Sequence, residues 1–476
     1  MAVAVGGTTV AAVAARLGVR ILIAVHGYPP THWAGAERRA ERMARWLAAH
    51  GHRVAVLAIE QANTPGFRRE TTEQDGVTIH RLFYDAGEDD ADRNHYDHPA
   101  VAAAFREVLS EEPFDLVHVV SGYLLGVPAV EVPRAMGLAV VVTLTEFWFM
   151  CARLNLIQST GALCSGPESD AKCSRCLLES QRRFRLPGQA VPAIAESLWG
   201  ALRRLPVVKR MTAAVAARRT ALRAALAAAS LVICPSESLL DAFDRSGFDT
   251  SRFVFMRQGI AKPGGDPPVL ERHEVDLRLG YVGQLKWHKG VDLVVDAVIG
   301  LVDEGHHVSL DVWASDTEPE YARALMGRTA DRPAIRWNGG FTGDRVWAVL
   351  AGVDALVVPS RWYENSPNVI LEAYEKKVPV VVTDLGGMSE LVEDGRTGLV
   401  FRLDDAADLR RQLTRLVVEP GLLASLSRQA PAVKSIDDEM EDLARAYVAL
   451  ESAPTAPDRR PRLDDRRRLQ RGPRAS

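Results

Sequence analysis

A chain of 476 residues is too long for one ordinary hydrophobic core, so its length predicts two domains. Its 47% hydrophobic and 25% charged residues match a soluble globular protein, and its net charge of −3 gives no general attraction to nucleic acid. No apolar run reaches the roughly 20 residues that span a bilayer. These properties argue against nucleic-acid-binding and membrane-spanning proteins, and we expect the protein to be cytoplasmic.

The first half of the chain alternates short apolar strands with helices. Residues 1–19 lack the basic lead and compact apolar region of a secretory signal, and we expect them to be disordered. Residues 20–60 then read as strand, Pro/Gly loop, helix and strand, and the alternation continues through DLVHVV, LLGVPAVEVPRAMG and AVVVTLT. Short apolar strands separated by helices indicate a parallel sheet that is covered on both faces.

The second half repeats this pattern after a Pro/Gly-rich connector at residues 261–276. We therefore predict an α/β protein with two doubly wound, Rossmann-like parallel-sheet domains, residues 20–262 and 263–432, that face each other across a cleft. Ligands of such sheets bind at the carboxyl ends of the strands. The Pro- and Arg-rich tail, residues 453–476, should be disordered.

The stretch RWYENSPNVILEAYE follows the apolar strand VDALVVPS. Ser366 suits the N-cap of a helix and Pro367 suits its first position, so a helix should begin near Pro367. The amides of Asn368 and Val369 would then be unpaired at the positive end of the helix dipole. This arrangement predicts an anion site, most simply for phosphate.

Two glutamates flank the predicted helix start. Glu364 lies in the loop, where it can accept hydrogen bonds from hydroxyl groups near a phosphate. Glu372 lies inside the helix, where it could accept hydrogen bonds from a ribose diol. On spacing alone, two ordinary surface carboxylates explain the pattern equally well.

Further polar loops follow other strands at their carboxyl ends. Lys289 and Gly290 follow the first strand of the second half; glycine lets the backbone approach closely, and lysine supplies a point charge suited to a diphosphate. Glu390 lies in the loop LGGMSE, and Gly35 lies in the loop HWAGAE of the first half. Lys289 could instead be an ordinary solvated lysine. All these loops, however, lie at the carboxyl-end edge of their sheets, and this coincidence favours a binding site.

Together these segments resemble the retaining glycosyltransferases of family 4, which have the GT-B fold, from about residue 20 to 450. The resemblance implies that Glu364 holds the hydroxyls of the donor sugar, that Lys289 and the helix amides stabilise the leaving diphosphate, and that catalysis needs no metal. It also implies a C-terminal helix, residues 433–452, that packs on the first domain. The candidate donor-binding residues are Gly35, Gln284, Gly290, Arg361, Asn365, Asn368, Val369, Glu372 and Glu390, and the candidate catalytic residues are Glu364 and Lys289.

The chain departs from the family pattern at several positions. Gln284 replaces an arginine before the lysine of the phosphate loop, and Lys286 or Arg361 would have to compensate. Thr145, followed by Glu146, replaces a histidine that usually faces the donor sugar. His118 lacks its usual histidine partner and is either an acceptor-side residue, like Thr145 and Glu146, or a core histidine. The substitutions leave open a catalytically weak binding protein.

Four cysteines cluster within residues 151–176: Cys151, Cys164, Cys173 and Cys176. In a reducing compartment such a cluster is typical of a structural zinc site, and reduced thiols or a disulfide are the alternatives. Residues 181–223 form a basic helical insert in which Trp199 and leucines lie beside Arg203 and Arg204. This composition suits contact with anionic lipid headgroups, so the protein could lie peripherally on the inner face of the membrane.

The leading interpretation is a retaining transferase that moves a sugar from a UDP- or GDP-linked donor to a saccharide or lipid-linked acceptor, in cell-surface polysaccharide or glycolipid biosynthesis. The alternatives are a nucleotide-sugar-binding partner protein and a sugar-nucleotide isomerase of the same fold. A dinucleotide-dependent oxidoreductase is disfavoured, because no Gly-x-Gly-x-x-Gly follows either first strand.

Overall fold

The computed structural model describes residues 18–32, 35–61, 67–84, 93, 95–181, 184, 199–200, 202–262, 265, 276–341 and 345–451. These residues divide into two compact units. The first unit comprises those up to Pro235, those from 240 to 256, and those from Glu439 onward. The second comprises 236–239 and 257–438.

The first unit contains an eight-stranded sheet in the order β3-β4-β2-β1-β5-β6-β7-β8. Its strands are β1 (Arg20–His26), β2 (Arg53–Gln61), β3 (Phe67–Gln74), β4 (Val77–Tyr84), β5 (Leu116–Val120), β6 (Ala139–Thr143), β7 (Leu231–Cys234) and β8 (Phe253–Phe255). All neighbouring strands are parallel except β3 and β4. Ile21 to Val25 of β1 are fully buried, as a strand covered on both faces requires.

Helices connect these strands. They are α1 (Gly35–Ala49), α2 (Pro99–Glu111), α3 (Pro128–Ala135), α4 (Asp170–Glu179), α5 (Pro206–Ala228) and α6 (Glu237–Arg245). None of the described helices is both long enough and apolar enough to cross a membrane.

The second unit contains a six-stranded, entirely parallel sheet in the order β11-β10-β9-β12-β13-β14. Its strands are β9 (Leu277–Leu285), β10 (Val308–Asp316), β11 (Ile335–Trp337), β12 (Ala355–Val358), β13 (Val380–Thr383) and β14 (Gly398–Phe401). Its helices are α7 (Val291–Asp303), α8 (Pro319–Arg328), α9 (Arg345–Ala351), α10 (Asn368–Glu375), α11 (Gly386–Leu391), α12 (Ala406–Val418) and α13 (Leu422–Gln429), with a 3₁₀ turn at Trp287–Lys289. The last helix, α14 (Ile436–Glu451), contributes its residues from Glu439 onward to the first unit.

The predicted fold class, two doubly wound parallel-sheet α/β domains, is confirmed. The boundaries differ in detail: the chain passes from the first unit to the second between Met256 and Arg257, and 236–239 also belongs to the second. The segments 1–17 and 452–476, and much of the basic insert between 182 and 201, lie outside the described residues. The predictions of disorder at both ends, and of a helix over the whole insert, fall largely on those segments.

Candidate functional site

Lys289 and Glu364 lie together at one edge of the second sheet. Lys289 ends the 3₁₀ turn that follows β9, and Glu364 lies in the loop that follows β12. Strands β9 and β12 are parallel neighbours, so their carboxyl ends meet at the same edge. The Lys289 Nζ atom is 2.6 Å from Glu364 Oε1.

The Glu364 carboxylate is held by three donors. Its Oε1 atom accepts hydrogen bonds from Lys289, from Ser360 Oγ at 2.9 Å and from Trp362 Nε1 at 2.7 Å. Burial acts to raise the pKa of Glu364, but the Lys289 ammonium and these hydrogen bonds outweigh it, so the pKa lies below its ordinary value. Lys289 also lies 4.7 Å from the centre of the Trp362 ring. The site is therefore a charged pair, with side chains only 20% and 14% exposed.

Two glycines allow the loops around this pair to approach closely. Gly290 has φ +72°, and a Cβ atom there would lie 2.0 Å from the Pro359 carbonyl oxygen. A Cβ atom at Gly387 would lie 2.0 Å from the Asn365 carbonyl oxygen, and the Gly387 amide donates to the Glu364 carbonyl at 2.9 Å. Only glycine fits either position, so both residues fix the loops that carry the charged pair.

Helix α10 begins one residue later than the sequence predicts, and its cap differs. Pro367 occupies the N-cap position, and Asn368 is the first helical residue. The prediction that Ser366 caps the helix is wrong: its Oγ atom is buried without a partner, one residue too far from the helix start. No side chain among the described residues caps α10, so the positive end of its dipole is available to an anion.

Gln258 orders the start of the same helix. Its Nε2 atom donates to the Ser366 carbonyl at 2.6 Å and to Asn368 Oδ1 at 2.5 Å. Val369 follows in the first turn of α10, and Glu372 lies one turn further on, half-buried. The structure thus places Asn368, Val369 and Glu372 on the helix whose start follows the Glu364 loop.

Arg361, a candidate to compensate for the missing arginine at Gln284, is engaged by two carboxylates. Its guanidinium makes two bonds of 2.7 Å to Asp292, one of 2.6 Å to Asp404 and one of 3.0 Å to the Trp287 carbonyl. Burial acts to lower the pKa of Arg361, but the two carboxylates more than offset it and the pKa is raised. The Arg361 side chain is thus committed to structural ion pairs, and Gln284 remains half-buried near the end of β9.

Glu390, a predicted donor-binding residue, is also held by contacts within the fold. Its carboxylate accepts hydrogen bonds from the amides of Glu237 and Ser238, at 3.1 and 2.9 Å, and pairs with Arg257 at 2.5 Å. All four residues belong to the second unit. Gly35 begins α1 in the first unit, with open space where a side chain would project.

His118 is a core histidine and not an acceptor-side residue. It is fully buried in β5, with Nδ1 hydrogen-bonded to the Tyr447 hydroxyl and Nε2 2.7 Å from Thr143 Oγ1. Burial, together with the charge of Arg39, lowers its pKa to about 3. Both ring nitrogens are occupied, so His118 serves packing.

Thr145 and Glu146 lie just beyond the carboxyl end of β6. Thr145 and Ser121 both donate to the Glu146 carboxylate, the latter at 2.9 Å. Burial raises the pKa of Glu146, and the charge of Glu37 adds to this effect against the hydrogen bonds. Glu37, at the start of α1, lies 3.8 Å from His26 at the end of β1, and no sequence motif predicts this pair.

The four clustered cysteines line one cavity in the first unit, together with Arg218. Burial raises the pKa of the Cys173 thiol to about 11, and the charges of Cys151, Cys164 and Cys176 act in the same direction. Four thiols that line one cavity are a suitable donor set for zinc. In their present positions, however, no three His, Cys, Asp or Glu side chains of the described chain are arranged to hold a metal ion.

Two family descriptions match the chain in succession. Residues 34–259 match "Glycosyl transferase 4-like domain", and residues 276–419 match "Glycosyl transferases group 1". The two matches correspond closely to the first and second units.

Curated relatives and solved structures agree with this assignment. The chain is 29% identical over 186 residues to the alpha-D-kanosaminyltransferase of Streptomyces kanamyceticus. This match covers 37% of this chain and 47% of the relative. It is 31% identical over 215 residues to the lipopolysaccharide core biosynthesis mannosyltransferase LpsB of Rhizobium meliloti (strain 1021). This match covers 43% of this chain and 58% of the relative. The chain thus spans about half the length of these relatives.

The fold also matches that of Anabaena Alr3699/HepE, solved in complex with UDP-glucose. The TM-score is 0.58 at 16% identity, over 90% of this chain and 99% of that one. The matching family descriptions, the relatives and the two parallel-sheet units lead to one conclusion: the chain belongs to the group 1, family 4-type glycosyltransferases and has the GT-B fold.

Proposed function

We propose that the protein is a retaining glycosyltransferase that moves a sugar from a UDP- or GDP-linked donor to a saccharide or lipid-linked saccharide, in cell-surface polysaccharide or glycolipid biosynthesis. The observation that carries this proposal is the Lys289–Glu364 pair at the carboxyl edge of the second sheet, followed along the chain by the uncapped start of α10. A cation and free helix amides suit a diphosphate, and a fixed carboxylate suits sugar hydroxyls.

The chemistry follows from these charges. As the bond from the anomeric carbon to the phosphate breaks, negative charge grows on the nucleoside diphosphate, and Lys289 and the amides of α10 stabilise it. Lys289 would turn from Glu364 towards the diphosphate when the donor binds. The Glu364 oxygen that accepts three hydrogen bonds is a weak nucleophile. We therefore expect attack from the face that the diphosphate leaves, with the departing phosphate taking the proton of the acceptor.

A panel of UDP- and GDP-sugars tests this proposal through release of free nucleotide. We expect release with at least one donor, and a loss of about 100-fold or more in Glu364→Ala, the size seen when a key electrostatic contact is removed. Glu393→Ala is the control, because that carboxylate is 59% exposed and pairs only with Arg396 among the described contacts. Product of inverted anomeric configuration would contradict the retaining mechanism.

A catalytically weak nucleotide-sugar-binding protein is the second candidate. It is favoured by Gln284 and by the commitment of Arg361 to Asp292 and Asp404, which together weaken the hold on a diphosphate. Such a protein would bind a donor without releasing nucleotide. A sugar-nucleotide isomerase would instead convert the donor sugar without any acceptor, and chromatography of the recovered donor separates all three outcomes.

We also propose that the start of α5 contacts the membrane surface where a lipid-linked acceptor resides. Leu205 and Val207 are 41% and 39% exposed, and Arg203, Arg204 and Lys209 are exposed beside them. Exposed apolar and basic side chains together suit an anionic interface.

Liposome sedimentation tests the membrane contact. Replacing Arg203 and Arg204 by glutamine should weaken binding to vesicles containing phosphatidylglycerol by about 2 kcal/mol, roughly 30-fold, at about 1 kcal/mol per charge. The matched control replaces Arg396 and Arg402, which are 61% and 74% exposed in the second unit. Equal binding by the two double variants would contradict the contact.

A further inference from the structure

A polar cavity lies in the first unit, outside the Lys289–Glu364 site. Its volume is about 540 Å³, within the range of roughly 300 to 1,000 Å³ that is usual for ligand pockets. The loop at 158–160, helix α4 and the residues around the start of α5 form its walls. The lining side chains include Lys172, Arg175, Glu179, Trp199, Arg203 and Thr212. The proposed sugar transfer uses none of these residues.

Arg203 carries the unpaired charge of this cavity. Lys172 and Arg175 also line the cavity, and each pairs with a glutamate at 2.8 Å. Ser159 Oγ donates a hydrogen bond to the Glu179 carboxylate at 2.9 Å, so this carboxylate is satisfied within the fold. Arg203 is exposed, and no acidic side chain of the described chain pairs with it. The free guanidinium favours an anionic ligand, and phosphate in particular, because its fork of N–H donors matches phosphate oxygens.

Two hydroxyl groups add hydrogen-bond donors to the same cavity. Thr160 and Ser169 both line it, and both are exposed. Ser169 Oγ accepts a hydrogen bond from the Lys172 amide at 3.2 Å, which leaves the hydroxyl proton for a ligand. Thr160 Oγ1 likewise accepts from the Ala162 amide, at 3.4 Å. Hydroxyl donors together with an arginine suit the oxygens of a phosphate group.

Exposed apolar side chains beside the cavity indicate the source of the phosphate. Leu205 and Val207 are 41% and 39% exposed. Both lie between Arg203 and Val208, which line the cavity. Apolar and basic side chains exposed together suit the interface of an anionic membrane. A phosphate that carries acyl chains would use these side chains, whereas a water-soluble phosphate ester would not.

We propose that this cavity binds the headgroup of an anionic phospholipid. The Arg203 guanidinium pairs with the phosphate, and the hydroxyls of Thr160 and Ser169 donate hydrogen bonds to its oxygens. The acyl chains contact Leu205 and Val207. This inference rests on the proposed membrane contact and deepens it: general attraction depends on the number of surface charges, whereas a headgroup site depends on which charge lines the cavity.

Calorimetric titration of the full chain with dihexanoyl phosphatidylglycerol, kept below its micelle concentration, tests the proposal. Wild-type protein should bind this monomeric lipid, and Arg203→Gln should weaken binding by about tenfold or more, because it removes a charge-assisted hydrogen bond. Arg204→Gln is the matched control: this neighbouring arginine is also exposed but does not line the cavity, and a monomeric lipid presents no charged surface to it. Equal losses in the two variants would overturn the headgroup site.

Two further ligands identify what the cavity recognises. Dihexanoyl phosphatidylcholine, which has no net charge, should bind more weakly than the phosphatidylglycerol, and equal binding would contradict the role of Arg203. Glycerol 1-phosphate should also bind more weakly, and Leu205→Ser/Val207→Ser should reduce binding of the lipid to that level. Equal binding of glycerol 1-phosphate and the lipid by the wild type would identify a soluble phosphate ester as the ligand and overturn the lipid assignment.

Thermal stability and vesicle binding separate the possible failures. Arg203→Gln should keep the Tm of the wild type, because substitutions of exposed residues rarely change stability. Lost binding together with a lowered Tm would assign Arg203 to the fold and overturn its role in binding. Vesicle sedimentation reports on the membrane contact alone, so a chain that binds vesicles but no monomeric lipid refutes only the headgroup site.

Discussion

The ion pair of Lys289 with Glu364 depends on both charges. Each side chain is largely removed from water, and the opposite charge of its partner offsets much of the resulting desolvation cost. Removing one partner leaves the other charge buried and uncompensated, which costs more than the pair itself contributes.

Lys289→Met should therefore change how stability depends on pH. In the wild type the pKa of Glu364 lies below its ordinary value. Its ionised form therefore contributes to the free energy of unfolding above about pH 4.3, and this contribution is lost on acidification. Without Lys289, burial raises the pKa of Glu364, and ionisation then opposes folding. The free energy of unfolding of the variant should fall as the pH rises from about 4.5 to 7, to a deficit of about 3 kcal/mol.

Chemical unfolding at a series of pH values measures this effect. Lys289→Met/Glu364→Gln is the control, because it removes both charges and should recover most of the loss at pH 7. Parallel pH profiles for the wild type and Lys289→Met would show that the pair is not coupled in this way.

The sequence predicts Glu364 and Lys289 because local spacing places both in loops after strands. It does not predict the ion pairs of Arg361 and Glu390, because their partners are distant along the chain: Asp292 lies 69 residues from Arg361, and Glu237 lies 153 residues from Glu390. A single sequence does not show which of many charges pair. The positions of residues within one loop can be predicted from their spacing in the sequence. Ion pairs between segments that are distant along the chain cannot.

At the scale of elements, α14 is attached to the first unit by buried polar contacts. Arg39 pairs with Glu439, and the two side chains are 4% and 3% exposed. Tyr447 meets His118 in the core. Both contacts link residues of the first unit that are more than 300 positions apart.

Arg39→Met should destabilise the first unit by about 3 to 5 kcal/mol, because it removes the buried cation that offsets the charge of the buried Glu439 carboxylate. Arg39→Met/Glu439→Leu should recover much of that loss. Arg445→Ala, which removes a 51% exposed pair on the same helix, should cost less than about 1 kcal/mol. Urea denaturation measures all three, and equal losses in Arg39→Met and Arg445→Ala would contradict the argument.

The zinc prediction for the cysteine cluster also belongs to this scale. Cys173 and Cys176 lie in helix α4, not in the hairpin that usually presents such a pair. Binding a zinc ion would require the thiols to turn towards a common centre in their cavity.

Metal analysis of protein purified under reducing conditions tests this prediction. One zinc per chain, lost in Cys173→Ser, is expected if the cluster binds metal, and chelation should then lower the Tm. Cys234→Ser, which removes a buried thiol outside the cluster, is the control. Metal-free protein with four titratable thiols in the cluster would contradict the prediction.

Element types are largely readable from the sequence, because buried strands are apolar runs and helices show their own period. The antiparallel hairpin of β3 and β4 is the exception. Strand β3, FRRETTEQ, lies at the sheet edge and is almost entirely exposed, so no apolar alternation marks it. Edge strands with charged residues carry little of the pattern on which such predictions depend.

At the scale of the whole molecule, the chain contains two compact units, each with its own sheet and hydrophobic core. A protein of this kind need not unfold in one step. Residues proposed to bind the donor diphosphate, Lys289 and the start of α10, belong to the second unit, whereas Arg39 and Glu439 belong to the first. Ligand binding and the Arg39→Met substitution should therefore act on different transitions.

Calorimetry with and without UDP or GDP tests this separation. A nucleotide at about 100 times its dissociation constant should stabilise the unit that binds it by about 2.7 kcal/mol. Arg39→Met should lower the Tm of the first unit and so identify its transition. We expect the nucleotide to raise the Tm of the other transition, which belongs to the second unit. Lys289→Met should abolish most of the shift. A nucleotide that raised only the transition lowered by Arg39→Met would place the diphosphate site in the first unit, and the assignment of Lys289 to the leaving group would then be wrong.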